Sequence, residues 1–237
     1  MNLKKIIGAV CIVTGAMSYY LGVQEYVHKK VSVVDIRLDS TAYSYRSVQD
    51  NVESTAIIFS TFGMGSGFFL EENYIVTNAH VISASLGELH MSSKSVFILI
   101  NDIQYRGRIV GVDYKNDVAV IYSPKKGSPV LTYNKKDVKI GEFVYSIGTN
   151  RTNYKDIKTG YITHASNEIL SNTFITDSIL QPGFSGGGTF DKDNILVGIN
   201  VAGWTNLREP YSFVIDFSKV KGFILAEIVK DKAGLNR

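Results

Sequence analysis

Ser185 stands in the run Thr176, Asp177, Ser178, Ile179, Leu180, Gln181, Pro182, Gly183, Phe184, Ser185, Gly186, Gly187. A serine hydroxyl is a poor nucleophile at neutral pH. Attack on a carbonyl therefore needs a base within hydrogen-bond reach and donors aimed at the oxyanion that forms. Glycines on both sides of Ser185 leave its backbone open enough to supply such donors, so the chemistry to test for is acyl transfer.

The pattern GlyXaaSerXaaGly also describes the nucleophile elbow of α/β-hydrolases, where a histidine follows the serine along the chain. Here His28, His80, His90 and His164 all precede Ser185, which excludes that arrangement and leaves the order histidine, aspartate, serine. His80 closes the segment Tyr74, Ile75, Val76, Thr77, Asn78, Ala79, His80, where an apolar run gives way to small and polar residues. A histidine at a strand end can face a cleft. Asp117 lies in Lys115, Asn116, Asp117, Val118, Ala119, Val120, Ile121, a polar loop entering a strand that reads as buried, where an acid can be pinned beneath an imidazole. Taken singly, each of the three also suits a plain role: a glycine-rich turn, a core histidine, a turn-capping acid. Asp113 and Asp177 are the rival acids, and both read as structural.

Four segments in one order resemble the trypsin-like serine proteases, and more closely the HtrA/Deg type. They are Gly65-Ser66-Gly67-Phe68 followed by ThrAsnAlaHisVal, then AsnAspValAlaVal, then ThrAspSerIleLeuGlnProGlyPheSerGlyGly, and LeuValGlyIleAsn at 196–200. The resemblance covers roughly residues 64–224. It implies that Ser185 is the nucleophile, His80 the general base and then acid, and Asp117 the carboxylate that fixes the imidazole tautomer. It also implies that the backbone N–H groups of Gly183 and Ser185 form the oxyanion hole. Phe184 departs from the digestive enzymes, which carry there the aspartate that pairs with a newly cut N-terminus, so activation by such a cut is not expected. In this fold the primary specificity pocket would be walled by Ile179, Leu180, Asn200, Val201 and Ala202, which offer no charge and suggest a small or medium apolar side chain before the scissile bond. With few residues after the helix near 217–230, the PDZ module of longer HtrA proteins is not expected.

The elements that must position these groups read as strands. Short apolar or alternating runs at 54–62, 66–70, 74–77, 96–100, 118–122, 142–147, 173–176, 195–202 and 211–215 are separated by Gly, Asn, Asp and Lys turns. The expected fold is all-β: two six-stranded antiparallel barrels, His80 and Asp117 on the first and Ser185 on the second, linked near 124–134. Phe217, Val220, Ile224 and Ile228 recur at three and four residues, which predicts a C-terminal helix capped by Asp216 or Ser218. With 45% hydrophobic content, 21 glycines and 4 prolines in 237 residues, the chain suits a sizeable core with many tight turns.

Ile6 to Val23 carries no charge over eighteen residues and follows Lys4 and Lys5. As a helix it would span about 27 Å, the hydrocarbon thickness of a membrane. Residues 1–24 are therefore expected to form a membrane anchor, with a cleaved signal peptide as the competing option, and the protease is expected outside the cytoplasm. Residues 25–50 read as an extension, 51–130 as the first barrel and 131–237 as the second with its helix. The single cysteine, Cys11, lies in the apolar run, so the rest of the chain can form neither an internal disulfide nor a thiolate metal site. Net charge is +3 with lysine pairs in turns, which does not imply nucleic acid, and no histidine pair or phosphate loop implies a metal or cofactor.

Two functions follow as expectations. One is a membrane-tethered or exported serine endopeptidase acting on unfolded or specific proteins; the other is a catalytically silent module that holds a peptide by strand addition. The HtrA resemblance also raises a homotrimer, with residues 31–50, among them Val33, Ile36, Leu38, Tyr43 and Tyr45, as the contact.

Overall fold

The computed structural model describes residues 42–60, 63–83, 95–133, 137–150, 154–165, 172–204 and 211–235. Residues 1–24, expected to form an anchor, lie outside them, as do 31–41 of the expected trimer contact. Among the described residues no helix is long and apolar enough to cross a membrane.

Twelve strands close into two antiparallel barrels. The first takes β1 (Thr55–Ser60), β2 (Gly63–Glu71), β3 (Tyr74–Thr77), β4 (Ser95–Ile100), β5 (Ile103–Asp113) and β6 (Val118–Tyr122), in the order β1-β2-β3-β6-β5-β4. The second takes β7 (Phe143–Thr149), β8 (Lys155–His164), β9 (Thr173–Thr176), β10 (Gly188–Asp191), β11 (Leu196–Trp204) and β12 (Tyr211–Asp216), in the order β10-β11-β12-β9-β8-β7. Closure leaves no unpaired edge running along either sheet. Inward residues of the first barrel, including Ile58, Phe69, Ile75, Ile98 and Ile121, form one core cluster; Val144, Ile162, Phe174, Val197 and Val214 form another in the second. Each fully buried side chain of this size contributes about 1.5–3 kcal/mol. Between β4 and β5, Asn101 and Asp102 both take positive φ, 49° and 61°, the geometry of a two-residue hairpin turn whose twist matches the strands.

Three strands escape the apolar-run reading: β5, β8 and β10. In β5 and β8 charged and polar residues interrupt the alternation and many side chains face outward, while β10 has only four residues. They complete the six-strand count of each barrel. Residues 42–53, read from sequence as extension and barrel start, form helix α1 (Ala42–Glu53). It seats Val48 and Asn51 in buried positions, and Asn51 Nδ2 donates to the Tyr145 hydroxyl at 2.9 Å.

Helix α2 (Ala79–Ser83) is a short turn after β3, and α3 (Phe217–Lys232) follows β12. Asp216 caps α3, its carboxylate accepting the Ser218 N–H at 3.0 Å. Phe217, Val220, Ile224 and Ile228 are all buried, which fixes the face that packs on the barrels.

Candidate active site

His80 and Asp117 come from neighbouring strands of the first barrel. Strand β3 pairs with β6, so the chain leaving β3 at Thr77 lies beside the chain entering β6 at Val118. In α2, Ala79, Val81 and Ile82 point into the barrel and His80 points out, its side chain 48% exposed. Asp117 Oδ2 lies 2.7 Å from His80 Nδ1, and Asp117 Oδ1 accepts the His80 backbone N–H at 2.9 Å. That pairing favours the tautomer with a proton on Nδ1 and leaves Nε2 as the basic nitrogen. Asn78 is fully buried and its Nδ2 donates to the Asp117 carbonyl at 3.0 Å.

The rival acids sit elsewhere. Asp113 Oδ1 accepts the N–H groups of Lys115 and Asn116, each at 3.1 Å, and so shapes the turn before Asp117. Asp177 Oδ1 accepts the Tyr161 N–H at 2.6 Å and ties its segment to β8.

Ser185 lies in a tight loop between β9 and β10. The Phe184 N–H donates to the Gln181 carbonyl and the Gly187 N–H to the Phe184 carbonyl, both at 3.0 Å. The loop is bonded to Asn200 in the middle of β11: the Gly186 N–H donates to the Asn200 carbonyl and the Asn200 N–H to the Gly187 carbonyl, both at 2.8 Å. Gly183 and Gly186 have φ of +105° and +86°, conformations that a side chain would strain. A Cβ on Gly186 would fall 2.1 Å from the Ser66 carbonyl oxygen and 2.2 Å from Thr77 Oγ1. The nucleophile loop is thus pressed against the end of β3, three residues from His80. The Ser66 N–H also donates to the Ser185 carbonyl at 2.7 Å.

The Ser185 hydroxyl donates to the Val201 carbonyl at 2.6 Å. The β11–β12 register shifts between Asn200 and Ala202, so Val201 falls at the irregularity.

The proposed pocket residues divide by burial. Ile179 is 45% exposed, whereas Leu180 is buried. The Leu180 N–H donates to Ser212 Oγ at 3.0 Å, and Ser212 Oγ donates to the Ser178 carbonyl at 2.6 Å, so β12 carries the 178–180 wall. The Asn200 side chain turns inward: its Nδ2 donates to the Ile147 carbonyl at 2.9 Å and its Oδ1 accepts from Thr189 Oγ1 at 2.5 Å. Val201 brings a carbonyl to the site, and Ala202 continues β11, opposite Phe213. The sequence reading gives no role of their own to Asn78, Ser66, Thr149 and Ser212, the first two standing only inside quoted motifs. The signal the four share is that a buried polar group needs a partner.

A base, a carboxylate partner and a serine in a glycine-rich loop suit nucleophilic acyl transfer. Among the described residues no cluster of metal-ligating side chains occurs. The solved serine endoprotease from Yersinia pestis superposes with a TM-score of 0.67 at 21% identity, covering 81% of this chain and 69% of that one. The structure of Deg5 gives a TM-score of 0.65 at 24% identity, over 78% and 94% of the respective chains. At those identities the likeness establishes the fold. A probable periplasmic serine endoprotease, DegP-like, from Halomonas elongata is 31% identical over 144 residues, 58% of this chain and 29% of its own length. Human serine protease HTRA3 is 29% identical over 214 residues, 79% of this chain and 46% of its own length. The chain therefore spans less than half the length of these relatives. Residues 65–199 match the model of the trypsin-like peptidase domain, from the glycine-serine pair of β2 through the Ser185 loop to β11, and this chain belongs to that family.

Proposed function

We propose that the chain is a serine endopeptidase that hydrolyses peptide bonds through an acyl-enzyme on Ser185. In this reading His80 takes the Ser185 proton through Nε2 and later returns it to the leaving amine. Asp117 holds the ring and offsets the imidazolium charge, and the N–H groups of Gly183 and Ser185 receive the oxyanion. Water then attacks the acyl ester with His80 again as base, which restores the serine. The observation that carries the proposal is the two-point contact of Asp117 with His80, at 2.7 and 2.9 Å, beside a loop whose Gly186, the residue after Ser185, packs closely on Thr77 at the end of β3.

Protein chains are the proposed substrates. An uncharged Ile179 and Leu180 support an apolar preference before the cleaved bond. The apolar run 6–23 supports tethering with the protease outside the cytoplasm, in keeping with the periplasmic description of the Halomonas relative. Self-association through residues 31–50 belongs to the same proposal, as do the domain limits 51–130 and 131–237.

The Ser185 hydroxyl, turned to the Val201 carbonyl at 2.6 Å, favours a second reading in which the cleft holds a peptide without cutting it. Full-length protein in mild detergent, incubated with unfolded casein and with a fluorophosphonate probe, separates the two. Cleavage and labelling lost together in Ser185→Ala are expected. Folded protein that binds peptides yet neither cuts nor labels would establish the silent module.

A further inference from the structure

Two hydroxyls at the seam of the barrels play no part in proton transfer, yet both bear on the oxyanion loop. Ser66 on β2 and Thr149 at the end of β7 are fully buried. Ser66 Oγ donates to the Gly183 carbonyl at 2.6 Å and accepts the Thr149 N–H at 2.8 Å. Thr149 Oγ1 donates to the same Gly183 carbonyl at 3.2 Å. Through its backbone, Ser66 also donates to the Ser185 carbonyl at 2.7 Å and accepts from Thr77 Oγ1 at 2.7 Å. One residue of the first barrel thus holds both carbonyls that bracket the nucleophile loop, and it is itself braced from β3 and β7.

We propose that Ser66, with Thr149, is a positioning residue that presets the oxyanion hole. The inference rests on the reading of Gly183 and Ser185 N–H as the oxyanion donors. Gly183 sits at φ +105°, and a Cβ there would fall 2.5 Å from the Thr149 carbonyl oxygen, so the loop is seated closely on β7. Pinning the Gly183 and Ser185 carbonyls fixes the backbone that presents the two donors. Donors already in place need no reorganisation when charge develops, which is where their catalytic value arises. A hydroxyl suits the junction because it can donate to a carbonyl of one segment while accepting an amide of another. The latch also makes the loop on the second barrel depend on the barrel that carries His80 and Asp117.

Full-length Ser66→Ala, Thr149→Val and Thr149→Ser are to be compared with wild type in three measurements: peptide-amide kinetics, affinity for a peptide boronate, and amide hydrogen exchange across 182–187. Deleting a whole oxyanion donor costs about 10²- to 10³-fold, so a displaced donor in Ser66→Ala should lower kcat about 10- to 100-fold with KM within about twofold. Boronate affinity, which needs the tetrahedral adduct, should fall in the same proportion, and exchange at 182–187 should quicken. Thr149→Val, which keeps the N–H bond to Ser66, should show a smaller loss in the same direction. Thr149→Ser should remain near wild type, and if Ser66→Ala does not fold the two threonine variants decide. Unchanged kcat and exchange in folded Ser66→Ala, in an active wild type, would overturn the latch alone. Wild type that neither turns over substrate nor takes up fluorophosphonate would overturn the Ser185 reading, and the positioning role with it, even if exchange responds.

Discussion

Asp117 grips His80 twice, once at the ring nitrogen Nδ1 and once at the backbone N–H. A single carboxylate therefore sets the orientation of the imidazole and of the turn that carries it. Asp117 itself has φ +55°, a left-handed conformation that Asp tolerates better than most residues, and the Asn78 amide holds its carbonyl. Asp117→Asn keeps the size of the side chain but offers Nδ1 a donor as readily as an acceptor, so the ring can take the wrong tautomer. We expect kcat to fall by about 10⁴-fold, the loss such a change causes in the serine-histidine-aspartate template, with little change in Tm. A decrease of less than about tenfold would remove Asp117 from the proposed triad.

Asn78 offers a finer test of that support. Its Oδ1 is the buried side-chain atom, among the described residues, with no hydrogen-bond partner, while its Nδ2 bonds to Asp117. Asn78→Ala loses a bond but also relieves an unsatisfied oxygen, so the two effects partly offset and stability should change by no more than about 1 kcal/mol. The cost should appear in catalysis, about tenfold in kcat, equivalent to about 1.4 kcal/mol at the transition state. Urea titration beside steady-state kinetics tests this, and equal losses in both would mark Asn78 as merely structural.

Phe184 shows how far the sequence could be read. Its type signalled that no charged pair anchors the loop, but not what replaces the pair. The side chain is 1% exposed, packs against β7 at Gly148, and lies beneath Lys158 with Nζ 6.0 Å from the ring centroid. Phe184→Ala should cost about 3–5 kcal/mol through the cavity it leaves, and should lower kcat more than it raises KM. Phe184→Leu should recover most of both. A stable but inactive Ala variant would mean that the ring acts on the loop without contributing to the fold.

The same contrast separates the legible parts of the chain from the rest. Strands β3 and β6, and β11 over residues 196–200, are buried on both faces, so they stand out as continuous apolar runs, and His80 and Asp117 lie beside the ends of β3 and β6. Helix α3 was legible because Phe217, Val220, Ile224 and Ile228 keep a helical period. Strand β8, with Lys155, Asp156, Lys158 and Thr159, has its alternation blurred by outward-facing groups and is defined by pairing with β7 over seven residues. Ser66 was quoted only as part of a glycine-serine motif. Its role depends on partners 83 and 117 positions away, which no local pattern encodes.

The far end of α3 provides a prediction about pH. Asp231 is buried near the helix C-terminus, where the dipole disfavours a negative charge. Arg108 offsets this with a fork, Nη1 and Nη2 donating to its two oxygens at 2.8 and 2.9 Å, and the Tyr74 hydroxyl donates to Oδ2 at 3.0 Å. Removing the carboxylate in Asp231→Ala leaves Arg108 and Tyr74 without that partner and should cost about 2–4 kcal/mol. Burial, reinforced by the neighbouring Asp231 carboxylate, pushes the Tyr74 phenol from its ordinary value near 10 to about 12. Between those values the unfolded chain has lost the phenol proton and the native chain keeps it. The unfolded state then binds fewer protons, so the Tyr74 contribution is complete below pH 10 and declines as pH rises toward 12. Tyr74→Phe lacks that dependence. At pH 8 it should be less stable than wild type by about 1 kcal/mol for the lost hydrogen bond, and the gap should close or invert between pH 10 and 12. Thermal melts of both proteins across that range measure it, and a constant gap would show that Tyr74 does not titrate against Asp231.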